Sequence, residues 1–286
     1  MEEKNKVEKS TLYLVATPIG NLADISERAI KVLTEADFVA AEDTRNSLKL
    51  LSALGIKNEL ISYHEHNKKS SGERIVARLL SGESCALITD AGMPAISDPG
   101  EDIVRLCADA GINVSVIPGA CAAVSALSLS GLATSRFAFE GFLSANKSER
   151  KKQLERVKNE DRTLIFYEAP HKLKSTLEVM GEIFGLDRKI SLCREITKLN
   201  EEIKRTTIGK AIEFYSANEP RGEYVLVVEG FTGQSISDET ATLISLSPEE
   251  HVAKYENDGL ARMDAIKQAA KDRGLSKSEL YKILNS

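Results

Sequence analysis

No apolar run in this chain approaches the ~20 residues that a membrane-spanning helix needs, so a helical membrane protein is excluded from the outset. Neither G-x-G-x-x-G nor G-x-x-x-x-G-K-S/T occurs, which disfavours a standard dinucleotide site or a phosphate-cradling P-loop. Cysteine is scarce: residues 85, 107, 121 and 193 form no C-x-x-C pair and no metal-like cluster, so no metal site is expected. Each lies in apolar or small-residue company and reads as a buried free thiol in a reducing cytoplasm. Positive charge is not in surplus. A formal net charge of −5 argues against a protein that coats nucleic acid over its whole surface, while leaving room for a local basic face. Internal repeats and low-complexity segments are missing as well.

What remains is an ordinary globular composition, 42% hydrophobic and 28% charged, of the kind found in soluble domains. A length of 286 residues exceeds what one core usually serves and predicts two domains plus a small appendage. Met1 to Ser10 is mixed in charge and lacks an apolar core, so it reads as a frayed tail rather than a signal or transit peptide.

The first 130 or so residues alternate short apolar runs with helical patterns. Strands are expected at Leu12–Ala16, Phe38–Ala41, Leu60–Tyr63, Cys85–Ile88 and Val114–Ile117. Helices are expected at Ile25–Leu33, with Asp24 and Glu27 as its capping box, and at Asn46–Leu54, ending at Gly55. Two more are expected at Glu73–Leu80 and Glu101–Ala110. This alternation predicts a largely parallel sheet with helices on both faces.

From about Phe137 the texture changes. Phe137–Phe139 and Gly141–Leu143 precede a charged stretch, 146–158, and strands are expected at Thr163–Tyr167, Lys189–Cys193, Ile203–Ile208 and Glu223–Val228. A helix is expected at His171–Phe184, with Pro170 in its first turn. Adjacent strands without an intervening helix suggest a mixed or antiparallel sheet. The expected organisation is a tail over 1–10, an α/β domain over 11–135, a second α/β domain over 136–231, a linker over 232–247 and a helical tail over 248–286. The last has helix-turn-helix texture, with a turn at Gly274 and Ser276 and Glu279 as a capping box.

Four strand ends run into loops rich in Pro, Gly and small residues: "TPIGN" after Ala16, "TDAGMPAISDPG" after Ile88, "PGACAAVSA" after Ile117 and "EAPHK" after Tyr167. In open α/β sheets ligands sit outside the carboxyl ends of the strands. Gly20, Gly92 and Gly119 remove side chains where a ligand might touch backbone, and Pro94, Pro99 and Pro118 stiffen the loops. For any one loop, tight helix-on-sheet packing explains the composition as well. Four together point to a cleft.

These segments, with "TPIGNLADISERAIKVLTEADFVAAEDTR", "ITDAGMPAISDPG", "VIPGACAAVSAL", "FYEAPHKL", "REITKLNEE" and "GEYVLVVEG", resemble the S-adenosylmethionine-dependent tetrapyrrole methylase superfamily from about Leu12 to Gly230. Within it they are similar to the branch that methylates ribosomal RNA. The tetrapyrrole enzymes carry Gly-Asp-Pro where this chain has Gly92-Met93-Pro94, which counts against a tetrapyrrole substrate. The resemblance implies a homodimeric, cytoplasmic enzyme with two α/β domains and S-adenosylmethionine between them. Its implied substrate is the 2′-hydroxyl of a decoding-centre cytidine in small-subunit rRNA, met within the small ribosomal subunit. Carried across by motif, Asp90, Gly92, Met93, Pro94 and Ile96 line the methionine and ribose end. Pro118, Gly119, Ala120 and Ala122 contribute backbone, and Tyr167, Glu168 and Ile196 close the pocket from the second domain.

Methyl transfer to a ribose hydroxyl depends chiefly on positioning, helped by a base or a positive neighbour that favours the alkoxide. The loop "AAEDTRNS" offers Asp43 or Glu42 near the hydroxyl and Arg45 for a phosphate; an internal Asp-Arg pair is the plainer alternative. Arg194 and Lys198 could serve RNA across the same cleft or pair on the surface. "NKSERKKQLERVK" supplies Lys147, Arg150, Lys151, Lys152, Arg156 and Lys158, a stripe that could neutralise phosphates or be a solvated helix face. His64-Glu65-His66 lacks a third ligand cluster and reads as a surface or RNA-facing loop. Two other functions stand beside rRNA methylation: methylation of a small tetrapyrrole, and a non-catalytic rRNA-binding assembly factor.

Overall fold

A computed structural model of the chain describes residues 5–233, 243–273 and 275–284. Expectations for residues 1–4 of the tail, 234–242 of the linker, the turn at Gly274 and 285–286 of the helical tail fall outside the described residues. The chain divides into two compact units, Met1–Gly230 and Phe231–Ser286.

The first unit holds two five-stranded sheets. In the first sheet β1 (Thr11–Val15), β2 (Phe38–Ala41), β3 (Leu60–Ser62), β4 (Cys85–Ile88) and β5 (Asn113–Ile117) lie in the order β3-β2-β4-β1-β5, every pair parallel. β2 and β4 are buried along their whole length, as central strands covered on both faces must be. Alternation along β1 sends Tyr13 and Val15 to one face, under α1 (Glu27–Glu35) and α2 (Thr44–Ala53). Leu12 goes to the other, under α3 (Lys68–Leu80) and α4 (Gly100–Asp109).

Helix starts moved where capping outweighs apolar periodicity. Ser26, not Asp24, caps α1, its hydroxyl accepting from Ala29 N at 3.1 Å, while Asp24 closes a short 3-10 turn, Leu22–Asp24. α3 begins at Lys68, five residues before the expected Glu73, because its first turn is polar and carries no apolar signal. Gly55 sits just past the end of α2 in the left-handed region, φ +71°, as expected.

The second sheet is mixed: β6 (Phe137–Phe142), β7 (Thr163–Glu168), β8 (Lys189–Arg194), β9 (Glu202–Thr207) and β10 (Tyr224–Val228) run in the order β6-β7-β10-β8-β9, and only β6 and β7 are parallel. The two apolar pieces at 137–143 are one strand, with a register jump between Phe139 and Gly141. One face is covered by α6 (Lys147–Val157), α7 (Pro170–Phe184) and α8 (Ile208–Ala217), through Leu154, Leu173, Leu177 and Ala211. α8 was not expected: Thr207 ends β9 and caps a helix that starts at Ile208, the last residue of the expected strand.

The other face is covered by α5 (Ala122–Ser130), the helix that follows β5. Ala123, Ala126 and Leu127 pack on Ile165, Val225 and Val227. The flat partner that these small residues approach is therefore the second sheet.

In the second unit α9 (Pro248–Asn257), α10 (Arg262–Asp272) and α11 (Lys277–Ile283) share a core of Val252, Ile266, Ala269 and Leu280. Ser276 and Glu279 form the expected capping box, and Ser247 and Glu250 form another. Among the described residues no helix is long and apolar enough to cross a membrane.

Candidate functional site

Strand order puts the carboxyl ends of β4, β1 and β5 side by side, so three of the four Pro- and Gly-bearing loops leave the sheet as neighbours. This is the switch-point arrangement in which open parallel sheets hold ligands. The loops after β1 and β4 are stitched together: Thr17 N donates to Gly92 O at 2.9 Å, and Gly92 N returns to Thr17 O at 3.1 Å. Gly92 has φ +86°, and a Cβ there would come within 3.1 Å of Ile19 Cγ2. A side chain at this position is disfavoured twice over, by conformation and by space.

Further along the same loop Ala95 and Ser97 both take φ +66°, a conformation L-residues adopt at a cost of roughly 1–3 kcal/mol each. Asp98 holds it: its Oδ1 accepts from Ala95 N at 3.0 Å and Gly100 N at 2.7 Å. Across the cleft the loop after β8 repeats the device, with Glu195 at φ +51° and Thr197 at +68°. Glu195 Oε1 accepts from Lys198 Nζ at 2.8 Å and from Glu223 N at 2.9 Å, and Lys198 Nζ also reaches Glu223 Oε2 at 2.8 Å. The Lys198 ammonium holds the Glu195 carboxyl below the usual carboxylate range. The two loop systems touch at Gly20, where a Cβ would lie 2.8 Å from Thr197 Oγ1 and 3.2 Å from Ile196 O.

Between them is a cleft of about 530 Å³, within the range of small-molecule sites. Of the residues expected to hold a cofactor, Asp90, Gly92, Met93, Ile96, Ala122, Tyr167, Glu168 and Ile196 line it. Pro94 is buried beneath the loop. Pro118, Gly119 and Ala120 do not line the cleft. Gly119 instead permits a close approach of two loops, since a Cβ there would stand 2.9 Å from Ala16 Cβ.

Tyr167 crosses from β7 to the start of α5, its hydroxyl accepting from Ala123 N at 3.2 Å; burial pushes its pKa up to about 12. Glu168 is buried, accepting from Thr176 Oγ1 at 2.6 Å and Ala169 N at 2.9 Å, with Lys172 Nζ 3.2 Å away. Its carboxylate is thus already engaged in holding the start of α7.

Glu42 and Asp43 part company. Glu42 lines the cleft and accepts from Thr89 Oγ1 at 2.8 Å. Asp43 does not line it: its side chain caps α2 through Arg45 N at 2.8 Å and pairs with the Arg45 guanidinium at 3.0 Å. That pairing lowers the Asp43 pKa and leaves Arg45 exposed on the outer side of a local ion pair.

The basic stripe also divides. Arg150 is only 4% exposed and donates to Ser144 O and Ser175 Oγ, so it ties α6 inward and leaves the stripe. Lys147, Lys152 and Arg156 stand exposed on α6, while Lys151 pairs with Glu182 at 3.5 Å and Lys158 with Glu155 at 2.9 Å. Arg194 is half-buried against Asn200 O and Glu202, and Lys198 lines the cleft within its two-glutamate clasp.

Residue-by-residue reading missed Ile19, Ser97, Asp98, Cys121 and Phe142, all of which line the cleft. Ser97 and Asp98 belong to the loop singled out in the sequence; the strand-end Phe142 carried no signal there. The histidines of the 64–66 segment lie edge to face at 5.9 Å on the loop after β3, away from the cleft lining.

The lining carries the carboxylates of Glu42, Asp90, Asp98, Glu168, Glu195 and Glu223 and a single lysine, Lys198. An adenosyl sulfonium fits this set: it is a cation without a phosphate, it would meet bare main chain at Gly92, and Tyr167 would add aromatic surface. A phosphate tail would face the carboxylates of Glu42, Asp90 and Asp98, while the lysine of the lining is already clasped by Glu195 and Glu223.

The family model for tetrapyrrole (corrin/porphyrin) methylases matches residues 11–212. A ribosomal RNA small subunit methyltransferase I from Halalkalibacterium halodurans is 50% identical over 276 residues, covering 96% of this chain and 95% of the relative. The protein of that name from Bacillus subtilis is 47% identical, with 98% and 96% covered. Among solved structures, diphthine synthase superposes with a TM-score of 0.61 at 15% identity, covering 77% of this chain and 90% of that one. A uroporphyrin-III-C-methyltransferase from Thermus thermophilus gives 0.54 at 22% identity, with 78% and 96% covered. These two likenesses speak to the fold.

Proposed function

This chain belongs to the tetrapyrrole (corrin/porphyrin) methylase family, and from that membership we propose that it methylates the ribose 2′-hydroxyl of a cytidine in small-subunit rRNA, with S-adenosylmethionine as donor. The reading includes a homodimer acting on the small ribosomal subunit. The observation that carries it is the acidic cleft at the strand ends, in a chain half identical to a protein named for small-subunit rRNA methylation.

Asp90, Gly92, Met93 and Ile96 on one wall and Ala122, Tyr167 and Ile196 on the other would hold the cofactor. When bound, it supplies a methyl group on a positively charged sulfur. The remaining work belongs to the protein. Its stiff loops fix the approach of the hydroxyl, the largest lever in such a transfer. Glu42, oriented by the Thr89 hydroxyl, is placed to take the hydroxyl proton. Glu168 supports the wall through α7 rather than meeting substrate, because its oxygens are already engaged. Lys147 and Lys152, with Arg156 beside them, offer the rRNA backbone a basic face outside the acidic cleft.

Mass spectrometry of rRNA nucleosides from cells with and without this protein tests the reading. One 2′-O-methylcytidine should vanish from small-subunit rRNA when the protein is removed. An unchanged nucleoside profile would overturn it and favour an assembly factor.

A further inference from the structure

We propose that Phe142 is a stacking platform for the nucleobase of the target nucleotide. The inference rests on the reading of the chain as an rRNA methylase and adds a substrate subsite to it.

β6 carries a register jump. Residues on an unbroken strand alternate faces, so Phe139 and Phe142, three apart, would point to opposite sides of the sheet. The extra residue at Glu140, between Phe139 and Gly141, resets that alternation. Gly141 takes φ +65° there. As a result both phenylalanines face the same neighbour. Phe139 meets Tyr167 edge to face at 4.9 Å and Phe142 meets it edge to face at 5.3 Å. Bulges beside sites re-aim side chains in this way.

The re-aimed ring is not buried. Phe142 lines the cleft and is 56% exposed, although a phenylalanine gains by leaving water. Its position is nevertheless constrained, by Tyr167 at its edge and by Lys172 Nζ 5.8 Å from the ring centroid. From the other half of the unit, Ile96 also lines the cleft and is 43% exposed. Its neighbour Ser97 places Oγ 3.2 Å from where a Gly141 Cβ would be. An aromatic face and an aliphatic side chain thus stand exposed at one place on the cleft.

A flat, uncharged ring suits such a place, and a phosphate does not, given the carboxylates around it. Base-on-aromatic stacking is the usual way for a protein to hold an unstacked base in RNA. It would leave the ribose at the cleft and the charged backbone outside, towards α6.

The test uses the scarcity noted for this chain, which contains no tryptophan. F142W therefore introduces a lone indole at the platform, whose emission can be excited apart from that of the seven tyrosines. Addition of small ribosomal subunits isolated from cells lacking the protein should quench it, while S-adenosylmethionine alone should not. In steady-state assays F142A should raise KM for the subunits about ten-fold, with Kd for S-adenosylmethionine by calorimetry and the melting temperature within error of wild type. F142W should recover most of that loss. Quenching by S-adenosylmethionine alone would assign the ring to the cofactor's adenine and overturn the proposal. So would an F142A enzyme with unaltered kcat/KM, or an F142W protein that methylates subunits without a change in emission. A wild-type protein inactive on these subunits would instead overturn the underlying reading of the chain.

Discussion

The Tyr167 hydroxyl, at the end of a strand in the second sheet, accepts a hydrogen bond from the backbone of Ala123, in the first turn of the helix that follows the first sheet. One bond thus satisfies an orphan donor of a helix start and fixes a wall of the cleft. Tyr167→Phe leaves that amide without its acceptor, a loss of about 1 kcal/mol. Urea unfolding should report it, and calorimetry should show weaker S-adenosylmethionine binding by several-fold. Unchanged binding would remove Tyr167 from the cofactor wall.

Glu42 and Asp43 should respond differently to amidation. Glu42→Gln keeps an acceptor for Thr89 but cannot take a proton, so turnover should fall by about 10²–10⁴ with cofactor affinity intact. Asp43→Asn can still cap α2 and should leave turnover near that of wild type. Single-turnover methylation assays separate the two; equal losses would contradict the assignment.

Gly119 tests packing. The added methyl of Gly119→Ala meets Ala16 Cβ, an overpacking cost of about 1–3 kcal/mol. Ala16→Gly in the same chain should restore most of the loss, because it removes the atom being struck. A double-mutant cycle on melting temperature gives the answer. An additive result would mean that the loop yields elsewhere.

Acid stability should depend on Asp37. Burial pushes its pKa up, but hydrogen bonds from Lys9 and from Ser84 outweigh this and bring it down to about 2. A depressed carboxyl stabilises the fold above its unfolded pKa and loses that contribution as pH falls through the folded value. The window is thus pH 4 to 2. At this partly exposed site the contribution is on the order of 1 kcal/mol after solvent screening. Asp37→Asn should flatten this part of the stability curve; an identical pH dependence would exclude it.

The basic face of α6 should appear in salt dependence. Replacing Lys147 and Lys152 by Ala should weaken subunit binding and lower the slope of log K against log salt by about 1.4, at roughly 0.7 per contact with single-stranded RNA. Arg150→Ala should instead lower the melting temperature, since its guanidinium is internal. A slope unaffected by the lysine pair would place the rRNA elsewhere.

Much of this architecture was legible because apolar period and loop chemistry agreed. Phe38–Ala41 and Cys85–Ile88 read as strands and are strands, since a parallel sheet buried on both faces leaves no room for polar residues. The adjacency of β8 and β9 announced the mixed sheet. The strand-end loops pointed to the cleft by composition alone. Illegible features were those fixed by tertiary partners. Arg150 reads as one more cation until Ser144 and Ser175 surround it. Phe142 depends on a single extra residue in β6, and α8 on a threonine cap directly after a strand. Asp43 looked like a base because a helix cap and a general base have the same side chain.

The small-residue helix α5 has one more implication. It is continuous with the first sheet in sequence, yet its apolar side is roofed by the second. Swinging the halves apart like a clamshell would strip that roof. Severing the chain near residue 135 should therefore yield two sticky fragments rather than two independent domains.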